Sequence, residues 1–229
     1  SADATITIST QLNSGTPLTK QVLLKASNID GVKAILNTEI GTAGTTRDNV
    51  TATNPYITGL KSTLTNAIST ATDVYTNSVT ESEVSTATTN LQTAETAFIN
   101  GMAPYNNFVT YIGTVTTGRD AEVRTAPFFT AIKAPLTTAI STATDAKLTV
   151  TSTTDISDAQ TALQAAYTQF GTDKLTFDNL DAKITEVSSR LTVVNIRKGD
   201  NRFLMFPTAT VQTLIDAKTV AETSRDNET

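Results

Sequence analysis

Hydrophobic positions along the chain fall into stripes of three-and-four spacing separated by short polar breaks. Ile57, Leu60, Leu64, Ala67, Ile68, Ala71 and Val74 line one face, so the spacing predicts an amphipathic helix opening at Pro55. Asn77-Ser78 breaks it. Thr80-Glu81-Ser82-Glu83 then reads as a capping box, in which the Thr80 hydroxyl accepts from the Glu83 amide and the Glu83 carboxylate reaches back. Behind the box Val84, Ala87, Leu91, Ala94 and Phe98 continue the stripe over a second helix, which Asn100-Gly101 should end. Pro104 opens a shorter third helix carrying Tyr105, Phe108, Ile112 and Val115, before a Thr/Gly linker at 113–126.

The same pattern returns 72 residues on. Phe129, Ile132, Leu136, Ala139, Ile140 and Ala143 form the first stripe. Ile156, Ala159, Leu163, Ala166 and Phe170 form the second, capped by Thr154 or Asp155, and Phe177, Leu180 and Ile184 the third. The letters recur as well: Leu64–Asp73 is LTNAISTATD and Leu136–Asp145 is LTTAISTATD, identical at nine of ten positions. Arg47-Asp48, Pro55, Lys61, Leu91 and Phe98 find their counterparts at the same offset. A fixed period over so many anchors predicts tandem structural units, each small enough to need its neighbours. Pro135 stands where the first unit has Thr63 and should kink or shorten its helix. In the tail at 211–223, Leu214, Ala217 and Ala221 resemble Leu64, Ala67 and Ala71, so a third unit should begin there.

The N-terminus has a different period. Residues 3–12 alternate Ala4, Ile6 and Ile8 with Thr and Ser, the pattern of a strand. No second strand is expected nearby, so this one should pair elsewhere or remain an extended arm, with Ile6 and Ile8 as the assembly contact. Asn13-Ser14-Gly15 closes it. Thr16 should then cap a helix with Pro17 at its first position, striped by Leu18, Val22, Ile29, Val32, Leu36 and Ile40. Gly41 to Asn54 reads as a loop. The expected fold is all-α: tandem helical-bundle repeats of about 72 residues with a short N-terminal β-strand or arm. Its divisions are 1–15 (arm), 16–54 (partial unit and linker), 55–126 and 127–206 (repeats) and 207–229 (partial third unit).

Composition moves this picture outside the cell. Threonine occurs 49 times in 229 residues, net charge is −5, and only 17% of residues are charged. Thr, Ser and Asn must therefore supply most of the solvent-facing surface. A hydrophobic fraction of 38% is too high for a disordered Thr-rich stalk. There is no Cys, His or Trp, which removes thiolates, disulfides and imidazole chemistry. The acidic balance argues against nucleic acid, and no apolar run reaches the roughly 18–20 residues of a membrane span. Ser1-Ala2-Asp3 has no basic n-region, so the expectation is a mature, soluble chain whose signal has been removed.

Candidate chemistry meets a plain alternative at each position. Glu81 and Glu83 sit in the first turn of a helix, where the macrodipole favours anions, and lack a base or nucleophile. Asp73 and Asp145 end equivalent helices, and Asp173, Asp178 and Asp181 read as a solvated helix N-terminus rather than a calcium site. Arg47-Asp48 and Arg119-Asp120 read as repeated linker salt bridges. Lys198-Gly199-Asp200 matches a string that some integrins read, and Asn49 and Asn227 head glycosylation sequons. Tyr105, Phe108, Phe128 and Phe129 could form a sugar platform, although their helical spacing favours core. With no Gly-rich phosphate loop either, no enzyme, cofactor or metal is expected.

The stripe Leu64, Ala67, Ile68, Ala71, followed by Thr80, Glu83, Val84, Ala87, Leu91, Ala94 and Phe98, resembles FIVAR-type modules. Those are small three-helix units strung along bacterial surface proteins, similar in style to albumin-binding GA modules. The resemblance covers about half the chain, with Thr in place of the usual Lys, Glu and Gln. It implies a surface or matrix protein without implying a ligand. The function expected is an extracellular structural or adhesive repeat protein, acting as surface spacer or self-assembling subunit. The alternative is a cell-surface binding module for a protein or glycan ligand.

Overall fold

The computed structural model describes residues 4–10, 18–24, 28–198 and 208–227. Within them the protein is all-α apart from one hairpin, strands β1 (Ala4–Thr10) and β2 (Leu18–Leu24). The helices are α1 (Ile29–Asp48), α2 (Pro55–Asn77), α3 (Glu81–Asp120), α4 (Pro127–Thr149), α5 (Thr153–Lys198) and α6 (Thr208–Asn227). The chain divides into two compact units, Ser1–Ala103 and Pro104–Thr229, with the division inside α3.

In the first unit α1, α2 and the N-terminal part of α3 close on Leu36, Ile57, Leu64, Val84, Leu91 and Phe98, all at most 3% exposed. Gly101 permits the close approach of α3 to α2, since a Cβ there would stand 2.9 Å from the Leu60 side chain. In the second unit the rest of α3 joins α4, α5 and α6 around Phe108, Phe129, Leu136, Ile156, Leu163 and Phe170. Pro55 and Pro127 both open helices of 23 residues.

The helices run longer than the sequence predicts. The expected loop at Gly41–Asn54 is helical as far as Asp48 and buries Ala43. Threonine is tolerated there because its hydroxyl donates to the carbonyl one turn back: Thr38 to Ala34 at 3.0 Å, Thr42 to Thr38 at 3.1 Å, Thr45 to Gly41 at 2.9 Å. The buried stripe then outweighs β propensity. The break expected at Asn100-Gly101 is absent, and Pro104 lies inside α3. The linker of 113–126 shrinks to 121–126, and α5 joins the two helices expected over 156–184 into one.

Pro135 does not shorten α4, which is as long as α2. The lost backbone bond costs about 3 kcal/mol. Leu136, Ile140 and Ala143, all buried on the following turns, offset it. In α6 the expected face is turned: Leu214 is 39% exposed, while Val211, Ile215 and Lys218 are half-buried. Arg225 donates to Asp181 of α5 at 2.9 Å and fixes which row of α6 faces inward.

The N-terminal strand is not an unpartnered arm. It pairs antiparallel with β2, Ile6 opposite Val22 and Ile8 opposite Lys20, where a helix starting at Thr16-Pro17 was expected. Leu18 and Val22, four residues apart, share a face on a helix and on a strand alike, so that spacing cannot discriminate. The Asn-Ser-Gly signal lies at 13–15, outside the described residues.

Caps explain the starts of α3 and α5. Thr80 accepts from the Glu83 amide at 3.3 Å, but the Glu83 carboxylate takes the Ser78 hydroxyl instead of reaching back to the Thr80 amide. The Ser78 bond holds the Glu83 carboxyl below its ordinary range. At α5 the cap is Ser152, not Thr154 or Asp155: Ser152 accepts from the Asp155 amide at 3.1 Å. The Asp155 carboxylate accepts from the amides of Thr151 and Ser152 at 2.9 and 3.0 Å. Thr80→Ala and Ser152→Ala should each cost about 1 kcal/mol in denaturant melts.

Candidate functional site

A dense ionic cluster forms where residues 121–126 cross from α3 to α4. Glu122, 5% exposed, accepts three bonds from Arg124: from the amide at 3.1 Å, Nε at 2.7 Å and Nη2 at 2.6 Å. Lys174 of α5 stands 3.2 Å from the same carboxylate. Arg124 Nη1 donates to Asp178 at 2.6 Å, and its guanidinium lies 3.9 Å from the Phe129 ring centroid. Phe177 stacks on Phe128 at 5.0 Å and meets Phe129 edge-on at 4.6 Å. Lys133 donates to the Glu122 carbonyl.

The Arg124 hydrogen bonds outweigh burial and hold the Glu122 carboxyl at about 2. Arg124 and Lys174 answer Glu122 and Asp178, while Lys133 is held by backbone carbonyls, so the cluster ties the crossing segment to α4 and α5. Sequence reasoning missed it because Glu122 and Arg124 stand in an expected linker, far from Lys174 and Asp178. The signal was available at the 72-residue offset: Val50, Ala52, Met102 and Asn106 stand 72 residues before these places, and only Lys61, donating to the Val50 carbonyl, recurs.

The residues singled out from the sequence resolve into structural roles. The Glu81 carboxylate accepts from the Asn28 amide. Asp73 and Asp145 do not end their helices, which run on to Asn77 and Thr149. Asp173, Asp178 and Asp181 lie inside α5, not at a helix start, and accept from Gln169, Arg124 and Arg225. Among the described residues no acidic group is arranged to hold a metal ion.

Arg47-Asp48 and Arg119-Asp120 are helical, closing α1 and α3 rather than lying in linkers. Each guanidinium bonds its neighbouring carboxylate at 2.8 Å and reaches a threonine of the next helix, Thr65 or Thr137, at 3.3 Å. The arginine bond holds Asp48 and Asp120 below the ordinary carboxylate range. Tyr105, Phe108 and Phe129 are buried, and Phe128 is half-buried. The Lys198-Gly199-Asp200 string and the sequon at Asn227 extend outside the described residues.

Two surfaces remain open. A shallow groove between α2 and α3 has Ala67, Ala71, Val74 and Leu91 as its floor, with Thr70 and Asn90 on its rim. On the hairpin, Ile6 and Ile8 share one face and are 49% and 55% exposed. No helix among the described residues is long and apolar enough to cross a membrane. No family model matches the chain, and no curated protein or solved structure matches it either.

Proposed function

We propose that the chain is an extracellular structural or adhesive repeat protein, a surface spacer or assembly subunit made of tandem helical units, with no catalytic role. The observation that carries this reading is the recurrence of paired helix starts. Pro55 and Pro127 open α2 and α4, Glu81 and Thr153 open α3 and α5, and both intervals equal the 72-residue spacing of the repeated letters. Core positions recur with them, Leu36 with Phe108, Leu64 with Leu136 and Leu91 with Leu163.

The surface supports the extracellular part. Helical threonines turn their hydroxyls onto the backbone, so the threonine-covered part of the outer face is uncharged without carrying unpaired donors. A FIVAR-type module would present such helices as spacers. Antibody labelling of intact source cells tests the reading: labelling without permeabilisation is expected, and labelling only after permeabilisation would overturn it. The groove between α2 and α3 favours a second reading, a binding module for a protein or glycan. Retention on a glycan or serum-protein array, lost on Thr70→Arg at the exposed rim, would support that reading.

A further inference from the structure

Strand β1 reads Ala4-Thr5-Ile6-Thr7-Ile8-Ser9-Thr10 and is nearly palindromic about Thr7. One of its edges pairs with β2, and among the described residues no strand lies on the other. A two-stranded hairpin is marginal in water, whereas three or more strands with an apolar face are stable, and Ile6 and Ile8 are about half exposed here. The two outer edges differ in charge. β2 carries Lys20, the residue type that natural edge strands use against further pairing, while β1 from Ala4 to Thr10 carries no charge at all.

We infer that the free edge of β1 pairs antiparallel with β1 of a second copy, about a two-fold axis at Thr7. In that register Ile6 of one copy lies opposite Ile8 of the other, Thr5 opposite Ser9, and Thr7 opposite itself. All four isoleucines then share one face and cover one another. Directly opposed apolar pairs of this kind are the unit of sheet stabilisation. A shift of one residue sets every isoleucine opposite a Thr or Ser and splits the apolar set between faces. A shift of two leaves one isoleucine of each copy opposite Ala4 or Thr10. The product is a closed, isologous dimer with a four-stranded sheet. Its outer strands both carry Lys20, so growth stops there.

This partner deepens the assembly role proposed above and rests on that reading, yet the two fail separately. Labelling of cells tests location, and solution pairing tests the dimer. Sedimentation of the full chain should show a concentration-dependent dimer. Thr7→Lys, which would set two lysines face to face, should abolish it and leave the helical spectrum unchanged. Ile8→Lys should do the same. The chain has no cysteine, so Thr7→Cys and Ala4→Cys each accept a single spin label. Labels at position 7 should meet across the axis, and labels at position 4 should stand about 20 Å apart at roughly 3.4 Å per residue. A wild-type chain that stays monomeric at every concentration overturns the inference. So does a dimer that survives Thr7→Lys, or labels closer at position 4 than at position 7.

Discussion

Glu122→Ala should destabilise the Pro104–Thr229 unit by about 2–3 kcal/mol, less than for a fully buried pair because Arg124 and Lys174 remain partly solvated. The substitution removes the acceptor of three Arg124 bonds and the carboxylate beside Lys174, and leaves Arg124 with Asp178 alone. The acid dependence follows from the same bonds. The Glu122 carboxyl titrates at about 2 in the folded chain against an ordinary 4.5. Its contribution of about 3 kcal/mol is therefore fully present above about pH 5 and is lost as pH falls toward 2. Denaturant melts across that window should show the loss in the wild type and not in Glu122→Gln. Replacing Glu122 together with the two cations on its carboxylate (Glu122→Val with Arg124→Ala and Lys174→Met) should recover much of the deficit, because no cation is then left beside a missing carboxylate. A triple variant as unstable as Glu122→Ala would show that the ion pairs themselves are required.

Leu91→Ala and Leu163→Ala should each cost about 2–5 kcal/mol. Both side chains are 1% exposed, at equivalent places in α3 and α5, enclosed by the helices that precede them. Truncation removes three heavy atoms from contact, and the stripe of apolar residues every third and fourth position leaves little that can collapse into the space. The two losses should appear in different transitions if the units melt separately. Neutrality of either variant would mean that its stripe is not the buried face.

The apolar stripes were legible in the letters because burial, not propensity, decides these helices. Leu64, Leu91, Leu136 and Leu163 all fall in the core that three-and-four spacing marks. Pro55 and the Asn77-Ser78 break marked both ends of α2, but other helix ends were not legible. Gly41, Gly44, Gly101 and Pro104 signal breaks locally, but Ala43 and Phe108 on the same turns gain enough from burial to carry the helix through. Back-bonded threonine hydroxyls hide in the same way, since a Thr-rich stretch reads as loop or strand until its hydroxyls are seen to be satisfied. The hairpin was half-legible: alternation gave β1, while the even spacing of Leu18 and Val22 fits both structures. The Glu122 cluster could be read only by comparing the units position by position, where Val50 and Met102 give way to charge.

The claim that threonine-rich segments here build long helices rather than loops is tested most directly by residue-resolved amide hydrogen exchange. Protection is expected to continue through Gly41–Asp48 in α1 and through 171–176 in α5, at levels close to those of the turns before them. Rapid exchange across both stretches, with protection confined to the flanking stripes, would contradict the account and restore the short helices joined by loops that the sequence suggests.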